Sequence, residues 1–99
     1  MFSTDVVSVK ETGMGALEAV LDVGRYNGRP VINVLVSADG AATFTVAVSN
    51  DCTTWYTRDT ITLSSAGSAV KTYTDNACKY IKVFTASATT NVIEICGTR

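Results

Sequence analysis

The chain has 99 residues, of which 46% are hydrophobic and 17% are charged, with a net charge of −1 at pH 7. This length is sufficient for one hydrophobic core and too short for two ordinary domains, so we expect a single domain over residues 1–99. The few lysines and arginines form no basic stripe and no apolar run approaches the roughly 20 residues that span a bilayer, so we expect neither nucleic acid nor membrane as a partner.

Apolar and polar residues alternate along most of the chain, a period of two that is typical of strands with one buried face. Residues 11–21 include good helix formers, but Gly13 and Gly15 interrupt them, so we predict a strand there. Further alternating runs predict strands at residues 17–23, 43–49, 60–63 and 92–96. Residues 31–37 are apolar on both faces apart from Asn33, which predicts a strand that lies centrally or beneath a partner.

The run at residues 43–49 alternates most clearly. Phe44, Val46 and Val48 are expected to point towards the core. The residues expected to point away from it are Thr43, Thr45, Ala47 and Ser49. This pattern predicts a half-buried strand.

Turn-forming residues separate these runs about every ten residues, the rhythm expected of short strands. Gly, Asn, Asp, Ser and Pro cluster at residues 26–30, 38–40, 49–52, 64–68 and 74–77. The chain is therefore predicted to be an all-β, antiparallel β-sandwich, jelly-roll-like, with about eight short strands. The order of the strands, jelly roll or immunoglobulin-like, stays open.

One stretch resembles a known signature. From Phe44 the chain reads F-T-V-A-V-S-N-D-C-T-T-W-Y-T, and a later segment reads C-K-Y-I-K-V. Ser49, Asp51 and Trp55, followed by residues 80–83, resemble discoidin-like and other galactose-binding-like jelly rolls, in which a strand ends in S-x-D-G-x-x-W. The resemblance covers residues 44–83. It implies a turn folded back on its own amides by the Ser and Asp side chains, with the tryptophan packing the hairpin as a core residue.

Cysteine replaces the turn glycine of that signature. Cys52 occupies the position, and glycine is the residue that most easily accepts φ > 0. The turn therefore either differs in detail or is fixed by a disulfide between Cys52 and Cys78. Three cysteines leave at least one thiol over, and we expect this to be Cys96, which could link subunits; the alternative is that the cysteines serve as buried small side chains.

The chain contains no histidine. The usual general base of nucleophilic catalysis and the usual nitrogen ligand of zinc are therefore absent. Four aspartates are expected in or beside turns, where capping is their ordinary role: Asp39, Asp51, Asp59 and Asp75. We expect no catalytic residues, no metal site and no cofactor, and we predict that the protein is not an enzyme.

Exposed aromatic and hydroxyl side chains are the candidates for contacts with a ligand or partner. Tyr26 and Tyr56 are the expected exposed aromatic pair, with Trp55 as a third candidate contact. Threonines are expected on one outer face of the strands: Thr43, Thr45, Thr60, Thr62, Thr72 and Thr74. Because burying hydroxyls costs far less than burying charges, this face favours packing against copies of the chain, and we predict a homo-oligomer, with a trimer favoured.

The turn-and-tryptophan signature is also similar to that of small all-β structural proteins of phages and archaeal viruses, which the chain resembles in size, threonine content and low charge. That resemblance implies a non-enzymatic virion structural protein, such as a capsid decoration, turret or spike component, bound to a capsid or other shell protein. Its expected location is the virion surface or the extracellular space, and no signal peptide is predicted at the start of the chain. The alternative is a carbohydrate-binding module or adhesin of galactose-binding-like fold that recognises a surface glycan.

Overall fold

The structure, a computed structural model, describes residues 6–22, 31–74 and 78–98, and all the regular elements found there are strands. In chain order they are β1 (Val6–Met14), β2 (Leu17–Asp22), β3 (Val31–Ala38), β4 (Ala42–Ser49), β5 (Tyr56–Leu63), β6 (Gly67–Tyr73), β7 (Tyr80–Thr85) and β8 (Thr90–Thr98). The prediction of an all-β chain with about eight short strands is confirmed.

The strands form two four-stranded sheets in which all neighbours are antiparallel. The first sheet has the order β1-β8-β3-β6 and the second has the order β2-β7-β4-β5. Successive strands alternate between the two sheets except for β4 and β5, which are neighbours in the second sheet. This order is that of a jelly roll, and it decides between the two topologies that alternation left open.

The core lies between the inner faces of the two sheets. Its side chains without exposed surface come from the two central strands of each sheet, β8 and β3 in one and β7 and β4 in the other. They include Ile32, Val34, Phe44, Val46, Ile81, Val83, Ile93 and Ile95. β-Branched residues pack well on such a pleated surface. The predicted central position of residues 31–37 is confirmed, since β3 lies between β8 and β6.

Residues 11–21 form strand rather than helix, as predicted, but they belong to two strands and not to one. β1 ends at Met14 and β2 begins at Leu17, in different sheets. Between them Gly15 has a φ of 81°, a conformation that glycine adopts without strain, and its N–H donates to the carbonyl oxygen of Thr89 at 3.0 Å. The glycine therefore marks the point where the chain crosses from the first sheet to the second.

The predicted threonine face is divided between the two sheets. Thr43 lies opposite Thr62, and Thr45 lies opposite Thr60, on the outer face of the second sheet. Thr72 lies opposite Asn33 on the outer face of the first sheet, and Thr74 follows that same strand, β6. The expectation of one shared face is wrong for the last two residues, because β6 belongs to the other side of the sandwich.

A buried asparagine joins two of the crossing connections. Asn91 is fully buried, and its Nδ2 donates to the carbonyl oxygens of Gly15 at 2.9 Å and Ser87 at 3.2 Å. Its Oδ1 accepts a hydrogen bond from the hydroxyl of Thr89. Asn91 thereby ties the connection between β1 and β2 to the connection between β7 and β8.

We expect Asn91→Ala to lower the free energy of unfolding by about 2–3 kcal/mol, because it removes three hydrogen bonds and leaves carbonyl groups without partners. The matched control is Asn33→Ala, which removes one hydrogen bond from the Thr72 hydroxyl at a half-buried position. That variant should lose less than about 1 kcal/mol. Urea denaturation measures both variants, and equal losses would contradict the assigned role of Asn91.

Candidate functional site

The turn between β4 and β5 is held by its own side chains. The Oγ of Ser49 accepts the N–H groups of Asp51 at 3.2 Å and Cys52 at 2.9 Å, and its hydroxyl donates to Oδ1 of Asp51 at 3.0 Å. The same Oδ1 accepts the N–H groups of Thr53 at 2.9 Å and Thr54 at 2.8 Å. The predicted folding of this turn onto its own amides by Ser and Asp side chains is confirmed.

These hydrogen bonds favour the ionised form of Asp51. The N–H of Thr54, followed by that of Thr53 and the Ser49 hydroxyl, holds the pKa of this carboxyl below its ordinary value. The side chain lies at the protein surface. The turn therefore presents a negative charge in a defined position at one end of the sandwich.

Cys52 adopts the conformation that the signature's glycine would supply. Its φ is 61°, in the left-handed region that non-glycine residues rarely occupy. A backbone conformation that favours glycine is therefore occupied here by cysteine. The thiols of Cys52, Cys78 and Cys96 are all free in this structure, so the predicted Cys52–Cys78 bridge stays a prediction.

The three thiols differ in their surroundings. Cys52 is exposed, whereas Cys78 packs partly against the core and Cys96 is half-buried on the outer face of β8. Burial raises the pKa of the Cys78 thiol and, together with the nearby Glu94 carboxylate, that of Cys96. Cys52, rather than the expected Cys96, is therefore the thiol most accessible to another molecule.

An open depression of about 310 Å³ lies beside the turn. It is lined by Val48, Ser49, Asn50, Asp51, Thr54, Tyr56 and Cys78. Tyr56 is 67% exposed, as predicted, while Tyr26 lies outside the described residues. The site thus combines one exposed aromatic ring with carboxylate, amide and hydroxyl groups.

Cys78 forms one wall of this depression, and in the sequence only the proposed Cys52–Cys78 bridge indicated that it lies beside the turn. The N–H of Lys79 donates to the carbonyl oxygen of Ser49 and to Oδ1 of Asn50, both at 3.2 Å. These bonds bring the chain just before β7 to the turn that follows β4. The adjacency of these strands in the second sheet is what assembles the depression.

Trp55 lies outside the core, so its expected role as a core residue is wrong. The ring is half-buried, and Nζ of Lys82 lies 4.3 Å from its centroid. Lys82 points outward from β7 between the buried Ile81 and Val83. Trp55 therefore packs on the outer face of the second sheet, where a cation–π contact with Lys82 stabilises it.

A polar contact joins the edges of the two sheets on the side of β5 and β6. The hydroxyl of Tyr73 donates to Oδ2 of Asp59 at 2.8 Å, and Nζ of Lys71 lies 3.9 Å from the same oxygen. The Tyr73 hydroxyl is the main cause that lowers the pKa of Asp59. Burial first, and then the bond to Asp59, raises the pKa of Tyr73. The Tyr73–Asp59 hydrogen bond therefore links β6, an edge strand of the first sheet, to β5, an edge strand of the second.

Two further aspartates accept backbone N–H groups. Oδ1 of Asp39, in the turn before β4, accepts the N–H of Thr90 at 2.9 Å. Asp59 lies within β5, so its expected place in or beside a turn is wrong, and its Oδ1 accepts the N–H of Thr60 at 2.8 Å. Asp75 lies outside the described residues. Within residues 6–22, 31–74 and 78–98, no group of three or more Cys, Asp or Glu side chains could hold a metal ion. The same part of the chain contains no helix long and apolar enough to cross a membrane.

The jelly roll defined by this strand order is shared with known structures. The chain is similar to the SPBc2 prophage-derived protein YomS, with a TM-score of 0.71 and 10% identity over 99% of this chain and 96% of that one. It is also similar to Bacillus endospore appendages that form disulfide-linked pili, with a TM-score of 0.55 and 17% identity over 97% and 83% of the two chains. A third similar structure is PirA, with a TM-score of 0.53 and 17% identity over 89% and 90%.

These similarities show that the chain shares its fold with the three proteins. No protein-family model matches the chain, and no curated protein matches it. The resemblance to galactose-binding-like domains therefore stays an expectation based on the turn signature.

The left-handed conformation of Cys52 leads to a prediction. Cys52→Gly should leave the free energy of unfolding within about 1 kcal/mol of the wild-type value, because relief of backbone strain offsets the greater freedom of glycine in the unfolded chain. Cys52→Val places a β-branched side chain at positive φ and should lower it by about 1–2 kcal/mol.

The control for this pair is Thr57→Val at an exposed strand position, where valine is favourable and stability should not fall. Chemical denaturation with reductant present measures all three variants without a contribution from disulfides. A Cys52→Val variant as stable as Cys52→Gly would contradict the assigned strain.

Proposed function

We propose that this chain is a non-enzymatic structural protein of a virion, a capsid decoration, turret or spike component, which assembles through the outer surfaces of its β-sandwich. The observation that carries the proposal is the uncharged block formed by Thr43, Thr45, Thr60 and Thr62. These residues form two directly opposed pairs on the outer face of the second sheet. Hydroxyl groups lose less free energy than charges when a protein surface covers them, so this face favours contact with another chain.

The structural likenesses support this role. One similar protein is prophage-derived, and the similar Bacillus appendages form pili, which are assemblies of many copies. A location at the virion surface or outside the cell is consistent with both of these similarities. The partners we propose are copies of the chain, with a three-fold assembly favoured, and a capsid or other shell protein on which that assembly sits.

Charges placed on the threonine block test the proposal. The double variant Thr43→Lys/Thr62→Lys puts two like charges directly opposite each other, which should prevent close packing of this face. We expect light scattering to show an assembly of several 10.5 kDa chains for the wild type and a smaller one for the variant.

The matched control is Thr12→Lys, an exposed threonine on β1 of the first sheet, which should keep the wild-type mass. Measurements with and without reductant separate noncovalent assembly from linkage through cysteines. A wild-type chain that stays monomeric in both conditions would overturn the proposal.

A carbohydrate-binding module or adhesin is a second candidate function, favoured by the depression beside Tyr56. An exposed aromatic ring next to Asn50, Asp51 and Thr54 offers a stacking face together with hydrogen-bonding groups for sugar hydroxyls. The lowered pKa of Asp51 keeps its carboxylate ionised, as an acceptor, to a lower pH than that of an ordinary aspartate.

For this second function we expect specific binding on a glycan array that Tyr56→Ala abolishes. Tyr56 is exposed, so its removal should leave the fold intact, and Thr57→Ala on the same strand is the control that should retain binding. Circular dichroism verifies folding of both variants. Failure of the wild type to bind any glycan would contradict the function.

A further inference from the structure

Three of the four edge strands carry features that oppose pairing with another chain. Charged side chains and register shifts are the usual devices that protect such edges. In this chain they are Lys10 and Glu11 on β1, Glu18 and Asp22 on β2, and Arg58 and Asp59 on β5, where the pairing with β4 also shifts register. These three edges are poor templates for an additional strand.

The remaining edge strand, β6, has less protection of this kind, with one charged residue where each of the other three has two. Its seven residues pair with β3 without any register shift, and in the described part of the chain β3 is its only neighbour within the sheet. Lys71 is its one charged residue, and the ammonium group is directed across the sandwich to Asp59. Val70 is 61% exposed, although it is a large apolar side chain.

We propose that β6 pairs antiparallel with β6 of a second copy of the chain, around a two-fold axis that passes through Val70. The midpoint of Gly67–Tyr73 is Val70, so this register pairs every residue of the strand with its counterpart. Val70 then faces Val70 of the second copy, and Lys71 faces Ala69. An exposed valine is thereby covered, and the two lysines are kept apart.

Other symmetric registers are less favourable. Centring the axis on Lys71 places two like charges directly opposite each other, which destabilises a strand pair. Centring it on Ala69 leaves Thr72 and Tyr73 beyond the paired region. A shift by one residue turns the outer face of one copy to the inner side of the other, because side chains alternate with a period of two.

The outer face of the first sheet continues across the proposed axis. Leu35 pairs directly with Val70 on β6, and Glu94 and Lys10 extend the same row to β8 and β1. A shallow depression of about 210 Å³ lies along this row and includes Leu35, Val70 and Val92. The pairing joins the apolar end of this row, Leu35 and Val70, to the same end in the second copy, so that two four-stranded sheets become one continuous sheet.

The inference deepens the proposed function, and it rests on that function in requiring that copies of the chain associate. It adds a two-fold contact along an edge to the contact through the threonine block. A two-fold axis perpendicular to a three-fold axis would generate an assembly of six chains.

The first test is Val70→Lys, which places like charges opposite each other on the axis. Because Val70 is exposed, the fold should persist, and we expect light scattering to show a twofold lower mass than that of the wild type. Combined with Thr43→Lys/Thr62→Lys, it should yield monomer. An unchanged mass for Val70→Lys would overturn the β6 contact and leave the proposed function standing, whereas a monomeric wild type would overturn both.

Cross-linking tests the register directly. In a Cys52→Ser background, which removes the exposed native thiol, Val70→Cys places two Cβ atoms about 4.5–5.5 Å apart, close to the range of a disulfide. We expect a covalent dimer on oxidation. The control Ser68→Cys lies on the same face of the strand, but its thiols would be about 13 Å apart along the strands and should not link. Equal cross-linking of the two variants, or none with Val70→Cys, would contradict the register.

Discussion

The burial of two inner sheet faces against each other is the constraint on which the rest of this structure depends. The fully buried apolar side chains come from the central strands β3, β4, β7 and β8. Because consecutive strands alternate between the sheets in all but one case, neither sheet can form without the other. Residues from opposite ends of the chain also pair, as β1 does with β8. Such long-range pairing makes folding slow compared with that of a protein dominated by local contacts.

The polar networks at the ends of the sandwich follow from this topology. A chain of eight short strands turns repeatedly at the ends of its sheets, both where it crosses between them and where it does not, and its backbone groups there need partners other than a neighbouring strand. Asn91 supplies them where two connections meet, and Ser49 and Asp51 supply them in the turn after β4. The depression with Tyr56 lies beside the second of these networks, so the candidate site is positioned by groups whose first role is structural.

The outer faces carry the features that bear on assembly. Most of the large aliphatic side chains of the described strands are buried in the core. The outer faces include opposed threonines on the second sheet and an exposed valine, Val70, at the edge of the first sheet. Both are explained if copies of the chain cover them, one through a sheet face and the other through a less protected strand edge. The same low surface charge then serves both contacts, because few charged groups have to be desolvated.

The sequence by itself determined the fold class, the inward direction of Phe44 and Val46, and the folding of the turn at Ser49 and Asp51, because each depends on residues adjacent in the chain. It did not reveal the bounds of β1 or β6, and β6 shows little alternation because only Tyr73 is buried there. Strand order, the outward position of Trp55 and the division of the threonines were decided by tertiary structure alone. A period of two indicates which face of a strand is buried, but it carries no information about which strands become neighbours.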